Sequence, residues 1–75
     1  MKEVVEVIAK ALVDDPERVE VNEVVEGDVT TLYLQVAPED MGKVIGKSGK
    51  IAKAIRSIVK AASIRADQKV ILEIK

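Results

Sequence analysis

The chain has 75 residues, with 12 basic against 13 acidic, 48% apolar content, no cysteine and no histidine. That length makes one domain with a thin core, and the missing residues exclude a disulfide framework, a thiolate metal site and the most frequent general base. No run is long and apolar enough to span a bilayer, and Glu3, Glu6 and Lys10 interrupt any leader-like stretch at the start; a soluble cytoplasmic protein is expected.

Residues 2–13 carry Val4, Val5, Ile8, Leu12 and Val13 at helical spacing, with Glu6 and Lys10 four apart on the other side. Asp14-Asp15-Pro16 ends this amphipathic helix, because the residue before a proline avoids the helical region. Residues 18–25 alternate at Val19 and Val21 and predict a strand, bulged near Val24-Val25 where the alternation slips. Glu26-Gly27-Asp28 is a tight turn into a second strand over 29–36, which puts Leu32, Leu34 and Val36 on one face. The short turn makes the pair an antiparallel hairpin.

Pro38-Glu39-Asp40 is a helix start, with proline in the first turn and acids at the positive end of the dipole. A short helix follows, with Met41, Val44 and Ile45 as its buried side, and Gly46 stops it. A longer helix opens near Ser48 and runs to about Ala66. Ile51, Ile55, Ile58, Val59 and Ala62 share one arc, and Lys50, Lys53, Arg56 and Lys60 lie opposite. Residues 69–74 form the last strand, with Val70, Leu72 and Ile74 facing one way. The order α-β-β-α-α-β folds as α+β, a three-stranded sheet backed by three helices with a two-helix right-handed crossover. No repeat or linker divides it, so residues 1–75 read as a single domain.

Charge is segregated. Met41 to Ala66 holds seven basic residues and no acid, while the remaining 49 residues hold five basic and thirteen acidic. A block of this kind is either a solvated helix face or an electrostatic footprint for a polyanion. The run Val44-Ile45-Gly46-Lys47-Ser48-Gly49-Lys50-Ile51 decides between them. Gly46 and Gly49 remove side-chain bulk, Lys47 and Lys50 supply charge, and the helix that follows points free N–H groups at the same place.

Other chemistries fit less well. A nucleotide-binding P-loop needs four residues between its glycines, and Gly42 to Gly46 leaves three. A helix-turn-helix reader would want Asn or Gln for base edges on its second helix. Base stacking on aromatic side chains is unavailable, since Tyr33 is the sole aromatic residue. No nucleophile, base and orienting group assemble into a catalytic set, and no cofactor or metal is implied. What remains from the residues is a phosphate-binding role for the loop, or an assembly adaptor whose long helix docks a partner.

The string from Val44 to Ile51, with Ala54-Ile55-Arg56 after it, resembles the signature of KH domains, whose Gly-x-x-Gly loop joins two helices and clamps about four nucleotides. The element order resembles the type II KH fold. The resemblance covers the whole chain and is closest to the small stand-alone KhpA family. It implies a bacterial, cytoplasmic RNA-binding protein or RNA chaperone that binds single-stranded RNA. It also implies self-association as a homodimer and pairing with a larger KH-containing partner of the KhpB kind. Carried to this sequence, Gly46 and Gly49 admit the RNA backbone, Lys47, Ser48 and Lys50 supply donors and charge, and Lys43 and Lys53 flank the path. Val44, Ile45 and Ile51 are either the aliphatic groove for bases or core, and Arg56 reaches either a phosphate or solvent. The short turn at 26–28 leaves no long loop there to add contacts. Ala54 and Ala61, with Ser57 beside them and Ile64 further round, form a stripe suited to a helix-to-helix homodimer.

Overall fold

A computed structural model describes residues 1–75 in full. The helical spacing near the start forms α1 over Lys2–Leu12, which buries Val5 and Ala9. α1 respects the helix dipole, with Glu3 in its first turn and Lys10 in its last. Its ion pair is Lys2 with Glu6 at 4.0 Å, not Glu6 with Lys10.

Pro16–Arg18 then form a 3-10 turn, so β1 runs over Glu20–Glu26 and does not begin at residue 18. The fixed φ of Pro16 starts that turn and delays the extended conformation. β2 spans Val29–Gln35 and pairs antiparallel with β1 in unbroken one-to-one register, from Glu20 opposite Gln35 to Glu26 opposite Val29. The expected bulge is therefore absent. The alternation slips because the hairpin tip carries both Val24 and Val25 exposed, so neither face imposes a pattern there. Gly27, at φ +60°, occupies the first position of the two-residue loop, as a II′ turn demands.

β3 spans Lys69–Ile74 and lies parallel beside β2, giving the strand order β1-β2-β3. Parallel neighbours require a crossover connection. It carries α2 (Met41–Ile45) and α3 (Lys50–Arg65). The α+β architecture and element order are those the sequence implies. One sheet face, built from Val21, Leu32, Leu34 and Leu72, is covered by Val5 and Ala9 of α1, Val44 of α2, and Ile55 and Val59 of α3. Each such buried valine, leucine or isoleucine side chain contributes about 1.5–3 kcal/mol.

α3 seats differently from its apolar arc. Its buried line is Ala52, Ile55, Val59 and Ser63, whereas Ile58 is 47% exposed. The helix is turned toward β3, where Arg56 Nε donates to the Leu72 carbonyl at 3.4 Å. The arginine stem then covers apolar surface that an isoleucine would otherwise cover.

α3 ends in a Schellman motif. Gln68 N–H donates to Ser63 O at 2.9 Å, and Asp67 N–H to Ile64 O at 3.1 Å. Asp67 occupies the left-handed position at φ 54°, which glycine adopts at no steric cost, and it sets a negative charge at the negative end of the dipole. Asp67→Gly is therefore expected to stabilise the fold by about 1 kcal/mol, read as a higher melting temperature; an unchanged or lower melt would contradict it.

Candidate nucleic-acid interface

The loop between α2 and α3 is built by two glycines with different tasks. Gly46 has φ 76° and ψ 174°, a region essentially closed to other residues. A Cβ on it would lie 2.6 Å from Ile51 Cγ1 and 2.9 Å from Ile51 Cβ. Gly46 thus lets the loop lie flat on Ile51, whose side chain packs against the core. Gly49 is left-handed at φ 75° and ψ 14°, but nothing lies within 4 Å of where its Cβ would point. The space beside Gly49 is open for an approaching backbone.

Between them, Lys47–Gly49 form a 3-10 turn, and Gly49 N–H donates to Gly46 O at 3.2 Å. Ser48 sits in the left-handed region at φ 57°. Such a conformation is uncommon for a residue with a side chain, and it costs about 1–2 kcal/mol. This turn is why α3 begins at Lys50 and not near Ser48.

α3 opens without a side-chain cap and with no acid in its first turn. Its opening residues include Lys50 and Lys53, both exposed, beside exposed Lys47. Unlike α1, which has Glu3 in its first turn, α3 has only cations at the positive end of the dipole, each costing about 0.3–1 kcal/mol. An anion seated over these N–H groups would relieve that cost.

The other expected site residues fall into separate places. Val44 is fully buried and belongs to the core, not to a groove. Ile45 is 36% exposed at the end of α2, and half-buried Ile51 supports Gly46. Lys43 is not a free cation: its ammonium lies 2.8 Å from Asp14 Oδ2 and 3.2 Å from Asp40 Oδ1. The hydrogen bonds it donates to those two carboxylates, Asp14 first, raise its pKa above the ordinary value. Tyr33 lies on the sheet face away from the helices, with the Lys75 ammonium 4.8 Å from its ring centre.

A groove between α3 and β3 is absent from the sequence reading. It measures about 540 Å³, is lined by Val59, Val70 and Leu72, and carries three cations, Arg56, Lys60 and Lys69, against one carboxylate, Glu73. Its signal in the sequence is the pair Arg56 and Lys60, four apart on one side of α3. An adjoining hollow of about 740 Å³ at the hairpin tip is rimmed by Asp28 and Asp67. Two carboxylates against one lysine, Lys69, disfavour phosphate there, whereas the balance in the α3–β3 groove is cationic.

A Gly-x-x-Gly loop joining two helices above a three-stranded mixed sheet, in this element order, defines a KH domain of type II. Comparison with known sequences narrows this: the family described as "KhpA/KhpB, KH domain" matches residues 2–74. The chain belongs to that family, which is not an enzyme family. It is 64% identical over 74 residues to the RNA-binding protein KhpA of Clostridium perfringens, covering 99% of both chains. It is 58% identical to the protein of that name from Caldanaerobacter subterraneus and 55% to that from Clostridium acetobutylicum, each again over 99% of both chains. No solved structure gives a significant match.

Proposed function

We propose that the protein binds single-stranded RNA as a single KH domain over residues 1–75, gripping the backbone at Gly46-Lys47-Ser48-Gly49. The observation that carries this reading is the uncapped, lysine-bearing start of α3 beside the open space at Gly49. Lys47, Lys50 and Lys53 meet phosphates, Ser48 donates, and the α3–β3 groove takes the bases. Aliphatic side chains and backbone groups replace aromatic stacking there. The names of the relatives support RNA as the ligand. Brief, low-affinity contacts of this kind suit a cytoplasmic RNA chaperone.

Titration of a short labelled single-stranded RNA across a salt series tests the clamp. Three phosphate contacts give a log–log slope of about −2, at about −0.7 per contact on single strands. A slope near zero, or a preference for duplex, would overturn it.

A second reading, protein docking, is favoured by the outward side of α3. Ala54, Ser57 and Ala61 are exposed, and Ile64 is 68% exposed although helical. We propose that this stripe pairs two copies helix to helix, or one copy with a larger KhpB-like partner. A homodimer doubles the RNA sites and raises effective concentration. Ala61→Glu is expected to leave a monomer in sedimentation equilibrium at micromolar concentration. A dimer indifferent to that substitution would remove the stripe.

A further inference from the structure

Asp40 is placed where an aspartate normally caps a helix, directly before α2, yet its side chain makes no cap. It is 2% exposed, and burying a carboxylate is costly unless it is paired. Its partners come from elsewhere. Asp15 N–H donates to Asp40 Oδ2 at 3.1 Å, across 25 residues of chain. Lys43 Nζ donates to Asp40 Oδ1 at 3.2 Å and to Asp14 Oδ2 at 2.8 Å. The local cap is given up for a tether between α2 and the connection that follows α1.

α2 needs such a tether. Five residues make less than two turns, too few to hold a helix by themselves. Within α2 only Val44 is buried. Gly46, the first residue of the loop, closes α2 by donating to Gly42 O at 2.8 Å. Any tilt of α2 therefore moves the loop over Ile51, and the tether fixes that tilt from the first turn.

We infer that Asp40, Lys43 and Asp14 form a positioning device for the Gly46–Gly49 loop, so that RNA affinity depends on a salt-bridged cluster that does not touch RNA. The inference rests on the loop being the RNA site. It gives Lys43 a different role from a phosphate contact, and the two roles predict opposite results. If Lys43 met phosphate, Asp14→Asn would free it from a competing carboxylate and strengthen binding. Removing an acid beside a polyanion site would also strengthen binding by charge alone. A positioning device predicts the reverse.

The test uses the full chain and a short labelled single-stranded RNA, well below the melting temperature of every variant, so that each is fully folded. Asp14→Asn, Lys43→Gln and Asp40→Asn are each expected to weaken binding by about threefold to thirtyfold, with the salt slope unchanged. Amide resonances of Gly46 and Gly49 should shift together in all three. If Asp40→Asn fails to fold, the other two variants carry the test. Unchanged or tighter binding in Asp14→Asn, or a slope reduced by about 0.7 in Lys43→Gln, would overturn the inference. Loss of the loop as the RNA site shows separately, as wild-type affinity in the double variant Lys47→Asp, Ser48→Asp.

Discussion

Replacing Lys47 and Ser48 together by aspartate is expected to weaken RNA binding at least about a hundredfold, since two charge-assisted contacts worth about 1.5–3 kcal/mol each are lost. Two carboxylates would then stand where a phosphate must enter, at the positive end of α3. The fold should survive. Both side chains are exposed, and neither takes part in a side-chain hydrogen bond or ion pair in the structure. The Ser48 backbone is left-handed, and aspartate tolerates that region better than most residues. Fluorescence anisotropy and thermal melting on one sample decide the matter. Retained affinity with a normal melt would exclude the loop as the site.

Gly46→Ala is expected to be the most damaging single methyl in the chain. The added Cβ meets three atoms of Ile51 at 2.6–2.9 Å, with the backbone already in a region reserved for glycine. Overpacking and backbone strain together cost about 3 kcal/mol or more. For a domain of this size, that lowers the melting temperature by more than about 10 °C. Gly49→Ala has the same sign of φ but open space around the new methyl, and should cost only about 1 kcal/mol. Its larger effect is expected on RNA affinity, because the methyl would fill the open space proposed for the RNA backbone. Equal melting temperatures for the two variants would refute this division of labour. The two glycines of the motif are thus distinguished by what surrounds them: one lies against Ile51, the other faces open space.

Much of this was legible in the sequence because period reports burial. The α1 spacing, the Leu32-Leu34 alternation and the Val70-Leu72-Ile74 alternation each have one buried face, and each element falls within a residue or two of its expected bounds. Reading failed where burial is set by something other than the local pattern. β1 near Val24-Val25 has no covered face, so the slipped alternation there signals exposure instead of a bulge. Ile58 sits in the apolar arc of α3, but the helix turns toward β3 and leaves it outside. The site divides in the same way. Gly46, Lys47, Ser48, Gly49 and Lys50 are consecutive, and their grouping needs no fold. The α3–β3 groove and the Lys43 cluster join residues up to 29 apart in the chain, so only the folded chain reveals them.

The segregation of charge has a consequence for how the protein is found by its ligand. Glu26 and Asp28 belong to the hairpin tip, beside the C-terminal end of α3. The loop lies at the other end of that 16-residue helix, about 24 Å away at 1.5 Å per residue. At physiological ionic strength the screening length is only about 8 Å. An RNA strand at the loop therefore senses the lysines and, of the acids, those close at hand, such as Asp14 and Asp40 beside Lys43, while the acids of the hairpin tip are screened from it. In very dilute salt, where screening reaches about 30 Å, the two ends are felt at once. The gain in affinity on dilution should then flatten, and the molecule behaves toward RNA as a dipole that must turn before it binds.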